Sequence, residues 1–312
     1  MKYHGTLGYT RYQKAYFFLD ENWVSGQEVS SLRSRRKLIT WILAVVRLGG
    51  LILWLWWGNS IISGSHYTIR TENPGLEGFT IVQISDLHSK QFGRGNRDLL
   101  SHIENSTPDI IAVTGDLISA VDSDFSPTLE FIRSARKIAP IYFVTGNHEA
   151  GNARYLDLQL QLSDLDVTLR QNEATVIDYC ASRIHLIGMD DPLMSSNGYD
   201  SSSRLMEETL ADLEIRKEEF TLLLSHRPEL FQYYVQEELD LVLSGHAHGG
   251  QFRLPLVGAL VAPDQGWLPA LTEGSYVDGE TTMVVSGGLG NSIIPLRINN
   301  PPELVVITLK GP

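Results

Sequence analysis

Cysteine is nearly absent from this chain. Among 312 residues only Cys180 carries a thiol, so no internal disulfide can form and no thiolate cluster can hold a soft metal. Basic charge is also scarce. The 25 Lys and Arg face 37 Asp and Glu, for a formal net charge of −12. The imbalance is uneven. Residues 1–50 carry eight Lys or Arg and three Asp or Glu, a local +5, which leaves the remainder near −17 by subtraction. A body this acidic argues against nucleic acid as a general partner, because phosphate backbones bind basic surfaces. Internal repeats and low-complexity tracts are missing too. With 43% hydrophobic and 20% charged residues the composition is that of a folded protein, and a long stretch of disorder is not expected. The length suits one large α/β domain plus an appendage.

One long apolar run is present. Residues 38–57 read LITWILAVVRLGGLILWLWW, about 30 Å of helix and enough to cross a bilayer core. Trp54, Trp56 and Trp57 gather at its far end, where interfacial indoles belong, and Arg33, Arg35, Arg36 and Lys37 flank the near end. The positive-inside rule then keeps the N-terminus in the cytoplasm and puts the C-terminal body outside. Arg47 is awkward, costing about 2.5–3.5 kcal/mol at mid-bilayer unless it snorkels or pairs. Ser34-Arg35-Arg36-Lys37-Leu38-Ile39 resembles an imperfect twin-arginine export signal. No A-x-A-type cleavage site follows, so the run reads as an uncleaved single-pass anchor rather than a removed signal or a buried core helix. The expected layout is an N-terminal cytoplasmic segment over 1–37, the anchor over 38–57, a linker over 58–66 and the main domain over 67–312.

In the main domain short apolar runs alternate with helical patterns. FTIVQIS (79–85), DIIAVTG (109–115), IYFVTG (141–146), RIHLIG (183–188), FTLLLS (220–225), LDLVLSG (239–245), TMVVSGG (282–288) and ELVVITL (303–309) predict strands. Leu99, Leu100 and Ile103 make one helical face, Leu129, Ile132 and Ala135 a second, and Tyr155, Leu158, Leu162 and Leu165 a third. Pro228 is expected to open a helix carrying Leu230, Phe231 and Tyr234. This alternation predicts an α/β sheet with helices on its faces. Cys180 is expected on a strand, as a packing residue.

Five of these apolar runs end in polar residues of one kind. Asp86 and His88 follow the first, Asp116 the second and Asn147-His148-Glu149 the third; His226 follows FTLLLS, and His246 and His248 follow LDLVLSG. The carboxyl ends of strands line the ligand crevice of an α/β sheet, so residues more than 160 positions apart should converge. Two Asp, one Asn and four His form an oxygen and nitrogen set that suits Mn²⁺ foremost, or Zn²⁺ or Fe. Seven donors exceed one tetrahedral ion. They suit two divalent ions about 3.5–4 Å apart that share a carboxylate and clamp a phosphoryl group. Asp116, on the Gly115 turn, is the best bridge. Gly245, Gly249 and Gly250 let the backbone bend so that both GHAHGGQ histidines can aim at one object.

Together DLH (86–88), GDL (115–117), GNHE (146–149), SHRP (225–228) and GHAHGGQ (245–251) resemble the calcineurin-like metallophosphoesterases, most of all the bacterial membrane-anchored phosphodiesterase branch. The resemblance covers roughly residues 67–312. It implies a four-layer α/β/β/α sandwich. It also implies that Asp86, His88 and His248 hold one metal, that Asn147, His226 and His246 hold the other, and that Asp116 bridges them. His148 would face substrate, stabilise the phosphoryl oxygens and protonate the leaving group, while a water held between the ions attacks phosphorus in line. The reading is thus a dinuclear-metal phosphohydrolase acting on a phosphodiester or pyrophosphate bond. Location alone points to lipid-linked or cell-envelope phosphates. A phosphomonoesterase is the first alternative, and a non-catalytic metal-binding membrane sensor or scaffold is the second; retention of every ligand and of His148 speaks against the latter.

Other polar residues receive structural readings. His185, His4, His66 and His102 lack partner motifs. Asp190-Asp191-Pro192 ends a strand and is read as a cap, and Glu149 either orients His148 or caps the next helix. Within 252–278, Trp267, Leu268 and Leu271 are read as an apolar lip facing the bilayer, against the plainer reading of a packed sheet edge.

Overall fold

The computed structural model describes residues 16–19, 22–195, 202–213, 215–291 and 294–312. Residues 1–15 of the N-terminal segment, His4 among them, lie outside the described residues. The chain divides into two compact units, Met1–Trp54 and Leu55–Pro312. The first contains an antiparallel pair, Tyr16–Leu19 with Asn22–Ser25, and most of helix α1, Gly26–Ser60. From Ser34 to Ser60 this helix is long and apolar enough to cross a membrane, and none of its most apolar window is buried. Leu38, Trp41, Val45, Leu48 and Leu53 are all exposed. A helix in a soluble core buries at least one face; this one buries none, and Gly49-Gly50 does not interrupt it.

The second unit holds two six-stranded sheets. Its strands are β1 (Ser63–Arg70), β2 (Thr80–Ile84), β3 (Ile110–Thr114), β4 (Ile141–Val144), β5 (Thr168–Leu169), β6 (Glu173–Tyr179), β7 (Ser182–Gly188), β8 (Phe220–Leu224), β9 (Leu241–Ser244), β10 (Gly274–Asp278), β11 (Thr281–Val285) and β12 (Glu303–Lys310). The first sheet runs β1-β12-β2-β3-β4-β5 and the second β10-β11-β9-β8-β7-β6. Strands β2 to β5 are mutually parallel. So are β7, β8, β9 and β11. Both faces of these central strands are covered, which is why they read as unbroken apolar runs rather than alternating ones.

Three cores account for the layers. Ile81, Ala112, Leu186, Leu222, Leu243 and Ile307 fill the space between the sheets. The outer face of the first sheet packs Val82, Ile111 and Val113 against Leu99 and Ile103 of α2 (Arg97–Asn105), Leu129 and Ile132 of α3 (Ser126–Ala135), and later Leu158 and Leu162. The short α4 (Asn147–Gly151) and then α5 (Tyr155–Asp164) follow β4. The outer face of the second sheet packs Leu223, Val242 and Met283 against Met206 and Leu210 of α6 (Ser202–Asp212) and Phe231 and Tyr234 of α7 (Phe231–Gln236). The architecture is therefore α/β/β/α, as expected. Pro228 opens a single 3-10 turn, Pro228–Leu230, before α7.

The differences from the sequence reading lie at edges. Strand β1 starts inside the stretch expected as linker 58–66, because SGSHYTIR is polar yet pairs in parallel with β12 along its whole length. As an edge strand it buries little, so no apolar run marks it. Strands β6 and β10 escaped notice for the same reason. Cys180 does not lie on a strand and is not packed. It is exposed in the turn between β6 and β7, with φ 52°. Leu271, expected at the lip, is half-buried against the outer core of the second sheet.

Candidate metal centre

Each expected donor sits just past the carboxyl end of a parallel strand. Asp86 and His88 follow β2, Asp116 follows β3, Asn147 follows β4, His226 follows β8, and His246 and His248 follow β9. Buried Gln83 joins the two sheets at this end, its Nε2 donating to Thr114 Oγ1 at 3.0 Å and to Ser244 O at 2.9 Å. The loops then interlock. The His246 N–H donates to both Asp86 carboxylate oxygens at 3.1 Å. Asp86 N–H donates to Gly115 O at 3.1 Å, and His88 N–H to Asp116 O at 3.0 Å.

Backbone strain marks the same loops. Asp86, His88, Asp116, His246 and His248 all have positive φ, between 48° and 66°. Left-handed non-glycine residues cost of order 1–3 kcal/mol each and persist only where the surroundings over-determine them. Gly115 (φ 89°) is required outright, since a Cβ there would lie 2.6 Å from His226 Nδ1. At Gly245 a Cβ would strike Ser85 Oγ and lie 2.6 Å from Asp86 Oδ2.

The side chains form two donor groups with one shared member. Asp86, His88, Asp116 and His248 place one ligand atom each within 4.8 Å of the others, and Asp116, His226 and His246 do the same. Asp116 Oδ2 lies 3.3 Å from His226 Nε2 and 3.7 Å from His88 Nε2. In the first group His248 Nε2 is 3.2 Å from His88 Nε2 and 3.2 Å from Asp86 Oδ1. In the second, Asn147 Oδ1 is 3.2 Å from His226 Nε2. His226 Nδ1 sits 2.7 Å from Thr114 O. A carbonyl can only accept, so that nitrogen carries the proton and leaves Nε2 to coordinate. Burial, the largest influence, pulls the pKa of both His88 and His248 down, which keeps those rings neutral. Lone pairs and carboxylates converging in buried space repel one another, and a shared cation removes that cost. The donor set thus fits two divalent ions with Asp116 between them.

Burial opposes ionisation of Asp116, yet His226, by its charge and its hydrogen bond, holds the carboxyl well below the usual range. Burial likewise opposes a charge on His226, but the Asp116 carboxylate, with Asp86 and Asp191 beyond it, pushes that imidazole up to about 10. In the metal-free protein His226 and Asp116 are therefore an ion pair, and an ion that binds there displaces a proton.

His148 differs from the donors. Its Nδ1 accepts from Ala120 N–H at 3.0 Å, which leaves the proton on Nε2. That Nε2 is 4.0 Å from Asp116 Oδ2, and the side chain is 22% exposed where the Asp116 carboxylate is 1% exposed. The ring meets His88 edge-on at 4.5 Å. Of the clustered histidines, His148 is thus the partly exposed one, and its proton is on Nε2.

Several residues of the site were missed or undecided in the sequence. Glu149 does not touch the His148 ring; it accepts from the N–H groups of Gly146 (2.7 Å), Asp116 (2.8 Å) and Ile118 (3.1 Å), so it caps α4 and holds the Asp116 loop. Asp191 caps the 3-10 turn Pro192–Met194 and also clamps Arg227, with Nε to Oδ2 at 2.6 Å and Nη2 to Oδ1 at 3.1 Å. Asp264 lies 2.8 Å from His246 Nε2. Its signal was hidden in Pro263-Asp264-Gln265-Gly266, whose composition reads as an ordinary turn. Arg297 donates to Gly287 O and Gly290 O beside His248. His66, His102 and His185 stay outside the donor groups.

A family model described as calcineurin-like phosphoesterase matches residues 79–250, more than half of the chain, and the chain belongs to that family. It is 28% identical over 292 residues to the uncharacterized metallophosphoesterase YkuE of Bacillus subtilis (strain 168), covering 89% of this chain and 98% of that protein. It is 28% identical over 238 residues to the phosphodiesterase YaeI of Escherichia coli (strain K12), covering 74% of this chain and 82% of that protein. A Bos taurus transmembrane protein with metallophosphoesterase domain is 27% identical over 310 residues, covering 93% of this chain and 67% of that protein.

Proposed function

We propose that this protein is a dinuclear-metal phosphodiesterase, cleaving a phosphodiester or pyrophosphate bond of a lipid-linked or cell-envelope substrate. The observation that carries the reading is Asp116 Oδ2, common to both donor groups and 4.0 Å from a proton-bearing His148 Nε2. Asp86, His88 and His248 would hold one ion and Asn147, His226 and His246 the other, with Asp116 as the residue common to both. Mn²⁺ is the foremost choice for this oxygen and nitrogen set, with Zn²⁺ or Fe as alternatives. When bound, the ions supply charge neutralisation at the phosphoryl group and a water acidic enough to serve as nucleophile at neutral pH.

The chain's own groups do the rest. His148 donates a hydrogen bond from Nε2 to a phosphoryl oxygen; because Nδ1 accepts from Ala120 N–H, the ring is neutral and stabilises developing charge as a donor rather than serving as the proton source. Glu149 keeps the Asp116 and Gly146 backbones in register, so the bridging carboxylate does not drift.

The apolar helix and the hairpins beyond His248 support the choice of substrate. We read residues 38–57 as a single-pass anchor with a cytoplasmic N-terminus and an extracytoplasmic catalytic domain. Two hairpins, Arg253–Leu254 with Gly258–Ala259 and Val261–Ala262 with Gly266–Trp267, carry apolar side chains into solvent. Trp267 is 80% exposed, Leu268 64%, and Leu256 is fully exposed. Such a cluster next to a polar site marks a contact surface.

The test is hydrolysis by full-length protein with Mn²⁺. Phosphatidylglycerol vesicles are compared with the deacylated head-group diester and with a phosphomonoester, using His148→Ala as control. Preference for the vesicle diester supports the whole reading. Equal rates on both diesters reduce the anchor to an address, and preference for the monoester replaces phosphodiesterase with phosphomonoesterase. A His148→Ala protein as active as wild type would overturn the mechanism.

A further inference from the structure

The structure assigns Asp264 as the positioning residue of the second metal half-site, where it selects which nitrogen of His246 faces the ion. This rests on the dinuclear reading above. His246 Nε2 has two polar neighbours, Asp264 Oδ2 at 2.8 Å and Arg227 Nη1 at 3.1 Å. The guanidinium has only N–H groups to offer and the carboxylate only lone pairs. A proton on Nε2 satisfies the closer partner, Asp264, and leaves the Nδ1 lone pair as the only coordinating atom of the ring. The opposite tautomer would set an Nε2 lone pair against a carboxylate.

Arg227 holds Asp264 in place. It is buried and clamped by both oxygens of Asp191, and its Nη1 reaches Glu229 Oε1 at 3.4 Å and Asp264 Oδ2 in a short contact. Glu229, His246 and Asp264 also lie close enough to suggest a third metal site. Arg227 Nη1 donates to Glu229 and Asp264 and lies 3.1 Å from His246 Nε2, so the cation of that cluster is the guanidinium itself. A chain of fixed contacts therefore runs Asp191–Arg227–Asp264–His246, from the end of β7 to the metal-facing ring. Asp264 enters it from the hairpin that also carries the exposed Trp267. That hairpin thereby becomes part of the metal site.

Carboxylates behind metal-ligating histidines are worth about 10–100-fold in affinity. The test is titration of metal-free, full-length protein with Mn²⁺, read by calorimetry and by the electron paramagnetic resonance of the coupled ion pair. Asp264 has φ 56°, so Asp264→Gly removes the carboxylate without adding strain, and Asp264→Asn keeps an acceptor at the same place. The expected result is that Asp264→Gly weakens one of the two ions about 10–100-fold and replaces the coupled signal by that of isolated Mn²⁺ at stoichiometric metal. Asp264→Asn should recover most of the coupling. Two tightly bound, coupled ions in Asp264→Gly overturn the assignment while leaving the dinuclear reading intact. A wild-type protein that binds fewer than two ions overturns the dinuclear reading, and this assignment with it.

Discussion

The two halves of the donor cluster share a carboxylate but are built differently. In the half around His226 and His246, each ring has an oxygen behind it: Thr114 O at 2.7 Å from His226 Nδ1 and Asp264 Oδ2 at 2.8 Å from His246 Nε2. In the half around His88 and His248, the outward nitrogens have weaker company. His88 Nδ1 is 3.4 Å from Ser119 Oγ, and His248 Nδ1 is 3.4 Å from the Arg297 guanidinium. Electrostatics follow the same division. Burial pulls His88 and His248 down, whereas the Asp116 carboxylate outweighs burial at His226 and pushes it up. One half presents neutral rings ready to coordinate. The other holds a proton that an ion must expel.

The largest expected effect removes the element the halves share. Asp116→Ala should abolish tight binding of both ions together and take hydrolysis to background, measured by metal content after gel filtration and by turnover. Loss of one ion alone would break the idea of a common bridge. Next, His148→Ala should lower kcat by about 10²–10³-fold, the range for a lost donor to developing charge, with both ions retained by calorimetry. If the ions leave with it, His148 belongs to one of the halves after all.

The effect of pH sharpens the contrast. His226 is raised to about 10, so in the metal-free protein its proton stabilises the fold below the unfolded value and that contribution is lost as pH rises through about 10. An ion entering this half competes with that proton. Its apparent affinity should rise about tenfold per pH unit between pH 7 and 9, while the His88 and His248 half, already neutral, should change little. Calorimetric titration at several pH values separates the two, and parallel slopes would erase the distinction. The smallest expected effect concerns the hairpin surface. Trp267→Ala with Leu268→Ala should reduce turnover of vesicle-borne diester several-fold and leave the soluble diester unchanged, with both rates measured on one preparation. Equal losses on the two substrates would return these side chains to a packing role.

Much of the site was legible because its residues lie in short loops directly after unbroken apolar strands. Chain order therefore nearly specifies their position. Asp86, Asp116, Asn147, His226 and His246 could be picked out from that pattern alone. What escaped was of two kinds. Edge strands such as β1 and β6 bury too little to leave an apolar run. Supporting residues such as Asp264 and Asp191 sit in segments whose composition reads equally well as a turn. Cys180 shows the converse error, an apolar-leaning residue placed in an exposed turn by the hairpin that joins β6 to β7.

The sequence by itself determined the α/β class, the apolar helix and the oxygen and nitrogen character of the candidate donor set, because strand burial and donor chemistry are local properties. Only the tertiary structure decided that Asp116 Oδ2 stands between the two histidine groups, that Glu149 caps rather than orients, and that Asp264 reaches His246. Those outcomes depend on how two sheets are locked through Gln83 and on distances between loops far apart in the chain. Neither composition nor spacing encodes them until the core between the sheets has packed.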